Sequence, residues 1–436
     1  MITIKDILKT NPLTRRFYAF ALITRYEGIK KALKKDYQTF FDNQSTDGCI
    51  PPIFYKTPDF ISPSVKKAYY YNKEKTSEVM RSYVARTLRG YARYLRSTAS
   101  ASIPEIKYVF KLAIEMDIQG TALSYQQYID FLWTYEGGSD ELLNMCEKLE
   151  SAIDADKPEL SKTWLIYIST LLERKSLDSA YKLLKKYIGH YGTADLHLYY
   201  PVAHLAHSHG ITNPKIKKAA IIFDVLEQNR LDAIFLNTIA DKNIAVVGSS
   251  PSELGKGQGP DIDCHDLVIR FNNFSTENYE NDYGKKINVW ARNKDPKTTP
   301  HYDLLDSLNL IILEPDIWRF SMDEYYTETL YRYISHYHTP VVYLENRISF
   351  TKEIDTFPTT GGLLLYNLYL NKDRLKGLNL YGFSFLDNLA GKNLQHYYEN
   401  SVEGKKFRDS FMHHDLEKEN MKLKQLFNVE GVHGDE

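Results

Sequence analysis

The chain has 436 residues, 43% of them hydrophobic, and a net charge of −1, so the expectation is two domains, each able to bury a core. Its three cysteines, Cys49, Cys146 and Cys264, are widely separated, which excludes a disulfide framework or a cysteine metal cluster and points to a reducing compartment. No run approaches about 18 apolar residues, so no transmembrane helix is expected.

The charge is unevenly spread. Residues 1–100 carry 19 Lys+Arg against 8 Asp+Glu, and the remainder 36 against 48. A basic N-terminal region suits peripheral contact with an anionic membrane, or else a solvated basic helix face. Pro12, Pro51, Pro52, Pro58 and Pro63 break structure there. Phe17 to Tyr26, the most apolar stretch, is too short and too charged at its edges for a signal peptide. Met80 to Arg96 reads as a helix whose Arg86, Arg89, Arg93 and Arg96 make one basic face.

From Ile103 to Asn229 the pattern is helical. Ser161 is placed to cap a helix carrying Trp164, Ile168, Leu171 and Leu172 on one face. Leu177, Ala180, Tyr181, Leu184 and Ile188 form a second stripe, stopped at Gly189. Such pairs resemble tetratricopeptide-type repeats, although an irregular helical domain fits as well. Lys215 to Arg230 reads as the last helix before the first strand. His204, His207 and His209 lie in this region without ligand spacing and read as structural.

From Asn243 onward strands alternate with helices. Ile244 to Val247 and Leu267 to Ile269 are short apolar runs bounded by Gly and Asp, which read as buried strands. Between them come Gly255, Gly257 and Gly259, with Pro251 and Pro260, in a loop whose backbone is able to approach a phosphate. Ile287 to Trp290, Leu308 to Leu313, Pro340 to Leu344 and Leu378 to Tyr381 also read as strands. Met322 to Tyr337, Gly361 to Leu370 and Met412 to Leu426 read as helices. The alternation predicts an α/β domain with a mostly parallel sheet. Residues 1–100, 101–240 and 241–436 are the expected divisions: a basic, mostly helical region, an all-α region and the α/β domain.

No dinucleotide fingerprint follows the first strand, which runs into Gly248-Ser249-Ser250-Pro251 rather than G-x-G-x-x-G. No phosphate-binding G-x-x-x-x-G-K-[ST] loop and no G-x-S-x-G nucleophile elbow is present. His413 and His414 are adjacent and cannot easily face one metal ion.

Four motifs instead resemble glycosyltransferase family 29, the animal-type sialyltransferases. Ala245-Val246-Val247-Gly248-Ser249-Ser250, followed by Ile262-Asp263-Cys264-His265-Asp266-Leu267-Val268-Ile269-Arg270-Phe271-Asn272, is similar to the large sialyl motif. Pro358-Thr359-Thr360-Gly361, then a helix and Leu380-Tyr381-Gly382-Phe383, is similar to the small motif. His396-Tyr397-Tyr398-Glu399 resembles the third motif, H-Y-x-[DE]. His414 with Glu419 fits the very small motif, H-x4-E, and His414 is preferred over His413 because it precedes Asp415 at that spacing. The likeness covers Asn243 to Leu426, and residues 1–240 share nothing visible with the family.

The resemblance implies a Rossmann-like sheet of the GT-A-variant sialyltransferase type. It also implies inverting, metal-independent transfer of sialic acid from CMP-sialic acid to a glycan hydroxyl, with no cofactor beyond the donor substrate. His414 would be the general base, and His396, with Tyr397 or Tyr398, would stabilise the departing CMP. Gly248, Ser249, Ser250 and Asn272 would hold the nucleotide, and Thr359, Thr360 and Gly361 the donor's carboxylate or phosphate. Ser249 stands where many members have Asn, and Ile244 replaces the first of a family cysteine pair. The missing cysteine pair and anchor agree with a cytoplasmic, bacterial-type version, peripheral at the inner face of the membrane. The expected partners are a CMP-activated sugar and a glycan, with no nucleic acid. Two other readings fit the same residues: a transferase of CMP-Kdo or another CMP-ulosonate, and a helical interaction protein carrying a degenerate transferase domain.

Overall fold

The apolar runs after residue 243 form one six-stranded sheet in the computed structural model, in the order β5-β4-β3-β2-β1-β6, with every neighbouring pair parallel. The strands are β1 (Asn243–Val247), β2 (Leu267–Phe271), β3 (Val289–Arg292), β4 (Leu310–Leu313), β5 (Val341–Tyr343) and β6 (Gly377–Tyr381). The expected strands are therefore present, with ends that differ by up to two residues. The model describes residues 85–86, 88–93, 95–96, 102–116, 122–152, 158–229, 231–314, 316–383, 396–398 and 414–428.

Side chains alternate across the sheet with the two-residue period of a strand. On β1, Ile244 and Val246 face one core with Ile269, Phe271, Val289 and Ile312, while Ala245 and Val247 face another with Val268, Ile262 and Tyr283. The first core is closed by the helix Thr360–Leu370, whose Leu363, Leu364, Leu365 and Leu368 are all fully buried. Each such leucine is worth about 1.5–3 kcal/mol, so this helix is anchored by its apolar content rather than by an amphipathic stripe.

The helices before the sheet are α1 (Ile103–Met116), α2 (Ala122–Tyr135), α3 (Asp140–Ala152), α4 (Ser161–Glu173), α5 (Leu177–Tyr191), α6 (Tyr200–Ser208), α7 (Pro214–Gln228) and α8 (Leu231–Ile239). Within and after the sheet come α9 (Gly259–Asp263), α10 (Glu280–Tyr283), α11 (Glu324–His336), α12 (Arg347–Ile354), α13 (Thr360–Leu370) and α14 (Leu416–Leu426).

Several sequence expectations are corrected here. Ser161 lies inside α4 and does not cap it; its hydroxyl pairs with that of Tyr187 on α5 at 2.8 Å. Gly189 does not stop α5, which ends at Gly192 with φ +73°, where a left-handed residue closes the helix. The helix before β1 is α8 rather than α7, the break falling near residue 230. Arg89 does not join a basic face: it is buried, and its guanidinium donates to Ser124 at 2.7 Å, while Arg86 and Arg93 are exposed. Residues 1–84, which carry most of the N-terminal basic excess and the expected membrane contact, lie outside the described residues.

The chain forms two compact units, Met1–Arg96 with Pro104–Ser124, and Ser97–Ile103 with Tyr125–Glu436. In the first, Leu88, Tyr91, Ala92 and Leu95 are buried, as are Ile106, Val109, Phe110 and Ala113 of α1. In the second, the helices from α3 onward share one body with the sheet. Arg319, in the segment after β4, makes a two-pronged ion pair with Glu173 of α4. Trp318 Nε1 and Tyr343 Oη both donate to Glu227 of α7, each at 3.1 Å, and Met322 N donates to the Leu198 carbonyl at 2.7 Å. Among the described residues no helix is long and apolar enough to cross a membrane.

Candidate active site

The chain leaves β1 toward β2 on one side, whereas β6 returns to the other side of β1. Strand order reverses there, and open α/β sheets bind ligands in the crevice at the carboxyl ends of such strands. Gly248 ends β1 and packs directly on the end of β6. A Cβ on Gly248 would lie 2.4 Å from the Gly382 carbonyl oxygen, and Gly382 itself has φ +68°. Neither position admits a side chain without moving backbone. Gly248 N donates to the Tyr381 carbonyl at 2.8 Å and Ser250 N to that of Gly382 at 2.9 Å.

The segment His396-Tyr397-Tyr398 seats on this turn, with Tyr397 N donating to the Ser249 carbonyl at 3.0 Å. Tyr397 is buried, stacks on Tyr283 at 3.8 Å and donates its hydroxyl to the Ser275 carbonyl at 2.6 Å. Its phenol is a core anchor, and burial pushes its pKa up. Tyr398 donates to the Asn273 carbonyl at 2.5 Å, and its hydroxyl lies 3.3 Å from His396 Nδ1 with the two rings stacked at 5.2 Å. His396 is thus held over the turns that follow β1 and β2.

Asn272 adopts φ +42°, a left-handed conformation that asparagine tolerates better than most residues. Its side-chain carbonyl accepts from Asn293 N at 2.8 Å, and its backbone carbonyl accepts from Trp290 Nε1 at 2.9 Å. A ligand contact from Asn272 therefore falls to its NH2 group. The later glycines do not form an open phosphate cradle. Gly255 N and Gly257 N donate to the Asp282 carboxylate at 2.8 and 2.9 Å, and these bonds hold that carboxyl below the usual range.

A second cluster is built by α13 and α14. Thr359 caps α13, its hydroxyl oxygen accepting from Gly362 N at 3.0 Å. The same hydroxyl donates to Glu419 at 2.6 Å, and Thr359 N donates to the other carboxylate oxygen at 2.7 Å. The Thr359 hydroxyl is thus engaged as donor and acceptor at once. A Cβ on Gly362 would lie 2.3 Å from the Glu419 carboxyl carbon, so glycine there lets the carboxylate reach the turn. Glu419 is 4% exposed. Burial raises its pKa to about 7, against the opposing pull of its two Thr359 bonds.

Asp415 caps α14, accepting from Lys418 N at 3.1 Å. The preceding His414 shares the Phe357 carbonyl through Nδ1 at 2.8 Å. A carbonyl accepts only, so Nδ1 carries a proton, and in the neutral form of the ring the lone pair is then on Nε2. Phe383 connects the two clusters: a Cβ on Gly248 would lie 3.3 Å from its ring, and one on Gly361 3.7 Å from it. Thr360 is buried in the first turn of α13. Gly248, Ser249, Ser250, His396 and Tyr397 thus meet at the turn after β1, Asn272 ends β2, and Thr359, Thr360 and Gly361 open α13, where Glu419 of α14 reaches Thr359; His414 joins that second cluster through the Phe357 carbonyl. His413 lies outside the described residues.

Two contributors carried no sequence signal, Phe357, whose carbonyl orients His414, and Asp282, which fills the glycine turn; a third, Phe383 as the bridge, carried little. Only the position of Phe383 after Gly382, inside the small motif, pointed to it. Among the described residues no group of three or more His, Cys, Asp or Glu is placed to hold a metal.

Residues 202–303 match the family model described as glycosyltransferase family 29 (sialyltransferase). The match begins in α6, so the family likeness reaches helices that the motifs alone left out. Human beta-galactoside alpha-2,6-sialyltransferase 1 is 33% identical over 99 residues, 22% of this chain and 24% of that protein. The zebrafish (Danio rerio) beta-galactoside alpha-2,6-sialyltransferase 2 is 30% identical over 117 residues, 26% of this chain and 22% of that one. The chain thus spans about a quarter of the length of these relatives. A crystal structure of a mammalian sialyltransferase in complex with Gal-beta-1-3GalNAc-ortho-nitrophenol aligns with 21% identity and a TM-score of 0.35, covering 53% of this chain and 82% of that one. These relatives are animal proteins, and they lend no support to a bacterial type or to a helical repeat. Residues 202–303 are thus similar to glycosyltransferase family 29, the sialyltransferases.

Proposed function

We propose that the protein transfers sialic acid from CMP-sialic acid to a glycan hydroxyl, with inversion at the anomeric carbon and without a metal. The observation that carries this reading is that the family-matched segment supplies the β1 and β2 turns of the reversal crevice, on which His396 is seated. His414 Nε2 takes the proton of the acceptor hydroxyl as its oxygen attacks the anomeric carbon. The bond to the CMP phosphate breaks in the same displacement, and the donor passes through an oxocarbenium-like centre. His396, braced by Tyr398, donates to the leaving phosphate, and the Asn272 NH2 and the Gly248–Ser250 turn hold the nucleotide. Such donors, preorganised in a site shielded from water, stabilise developing charge without reorganising.

CMP is expected to raise the melting temperature while NAD leaves it unchanged. At a hundredfold excess over the dissociation constant the stabilisation is about 2.7 kcal/mol. Protection by NAD and none by CMP would sink the reading, and CMP release from CMP-Kdo rather than CMP-sialic acid would move it to a different ulosonate donor.

Turnover is expected to survive EDTA. Asp261-Ile262-Asp263 has the spacing of a metal-binding pair, but Asp263 is engaged in bracing the β3 entry, accepting from Lys285 N at 3.0 Å and Lys286 N at 2.8 Å. Charge on the phosphate is instead met by His396 and N–H groups. Activity lost on chelation and restored by Mg²⁺ or Mn²⁺ would contradict this arm.

A further inference from the structure

The middle strands end in charged residues that the reading above leaves without a task. Lys294 lies just beyond β3, Glu314 directly follows β4, and Arg347 opens α12 after β5. Arg347 is 1% exposed. Its guanidinium lies 4.7 Å from the centre of the Phe320 ring and 5.0 Å from that of Phe357. Nη1 donates to the Thr134 carbonyl at 3.0 Å. The opposite edge, Nε and Nη2, is buried and makes no hydrogen bond. These two N–H groups form the side-on fork that fits both oxygens of a carboxylate. Native interiors rarely leave two donors of one side chain unmatched.

The Lys294 ammonium lies 4.7 Å over the same Phe320 ring, and burial pulls its pKa down. Neither cation has an ion-pair partner among the described residues. Glu314 is near enough to act on both, but burial pushes its own pKa up, so negative charge is disfavoured there. Asp316 is committed elsewhere: it pairs with Arg319 at 3.7 Å and accepts from Trp318 N at 2.9 Å. The cluster adjoins the candidate base through Phe357, whose ring is 5.6 Å from that of His414 and whose carbonyl orients it. Phe320 is partly exposed, and its ring is the one that must swing to admit a ligand.

We propose that Arg347 and Lys294 form a carboxylate subsite beside His414, recognising the acid group of a sugar bound for transfer. The inference rests on the transferase reading, which is what puts a sugar at His414. Nε and Nη2 of Arg347 take the carboxylate side-on, Lys294 adds a point charge, and the two phenylalanine rings keep water out and so strengthen both. The Thr359 hydroxyl, engaged with Glu419 and Gly362, does not compete for this role. The carboxylate has two sources: the donor ulosonate, or an acidic residue of the acceptor glycan.

The test is calorimetric titration of the full chain with N-acetylneuraminic acid and with glucuronic acid, each against its methyl ester, which keeps the shape and removes the charge. The wild type is expected to bind at least one acid about tenfold or more tightly than its ester, the usual worth of a charge-assisted pair, and which acid it prefers identifies the source. Arg347→Lys, which keeps the charge and loses the fork, is expected to reduce that preference to about twofold, and Lys294→Met to weaken it. Equal affinity for acid and ester in the wild type, no saturable binding of either acid, or a preference untouched by Lys294→Met and by a folded Arg347→Lys overturns the subsite. If Arg347→Lys does not fold, Lys294→Met decides alone, since that side chain is partly exposed. CMP is titrated in parallel: CMP that binds while acid and ester do not differ removes the subsite only, whereas CMP that does not bind removes the transferase reading itself.

Discussion

Replacing His414 with alanine is expected to lower turnover by about 10²- to 10⁴-fold, the usual worth of a positioned general base, and to leave CMP binding nearly unchanged. The reason is local. Nδ1 is committed to the Phe357 carbonyl, which fixes the tautomer and leaves Nε2 as the proton acceptor for a hydroxyl. Alanine removes that acceptor and touches nothing assigned to the nucleotide. His396→Ala is expected to behave differently. His396 lies with Tyr398 against the turns after β1 and β2, so its loss lowers turnover and weakens CMP binding together. His413→Ala is the control, because the base is assigned to His414 alone. Steady-state rates and CMP titrations on the three variants separate the outcomes. Loss of activity in His413→Ala with a normal His414→Ala would move the base by one residue, and two unaffected histidine variants would remove the catalytic assignment.

Much of the sheet was legible because short apolar runs bounded by Gly and Asp have few alternatives as buried strands. The β1 and β2 turns were legible for the same reason, since Gly248 and Asn272 stand where each run stops. What was illegible depends on partners distant in sequence. Gly189 looks like a helix stop, yet the helix continues because Leu183, Leu184 and Tyr187 before it are buried and hold the register. Arg89 repeats at the spacing of a surface face, yet it turns inward to Ser124. Gly255 and Gly257 offered N–H groups suited to an anion, and they do bind one, but it is the chain's own Asp282. Tyr397 reads as a polar member of a histidine motif, and stacking on Tyr283 makes it core. Arg347 carried no signal at all, because a lone arginine after a strand reveals nothing of the two aromatic rings that will cover it.

Stability is expected to fall as pH rises from about 5 to 8, in a component that Glu419→Gln abolishes. Glu419 is buried, and its pKa stands near 7 against an ordinary value of 4.5. Between those values the folded protein holds a proton that the unfolded chain has released, so folding is favoured at the acid end and weakens as pH climbs toward 7. Above that the folded state carries an ionised carboxylate in a dry site. A raised pKa of this size is worth about 3 kcal/mol, or roughly a hundredfold in the folding equilibrium. The two bonds from Thr359 act in the opposite sense, since both favour the ionised form, but burial outweighs them. Asp266 and Asp282, exposed and held below the usual carboxylate range by backbone N–H groups, change stability only at pH values below about 5 and so leave this window alone, but the wild-type profile sums every other titrating group and does not by itself isolate Glu419. The variant does. Glutamine keeps the shape, accepts from Thr359 N through its oxygen and donates to the Thr359 hydroxyl through its NH2 group. Urea midpoints of the two proteins are expected to converge near pH 5 and to separate near pH 8, with Glu419→Gln the more stable. Glu419→Leu is expected to be less stable than Glu419→Gln at both pH values, because it leaves Thr359 N without its acceptor in a buried turn. A wild-type-minus-glutamine difference that is the same at pH 5 and pH 8 would show that Glu419 is ionised in the folded protein throughout.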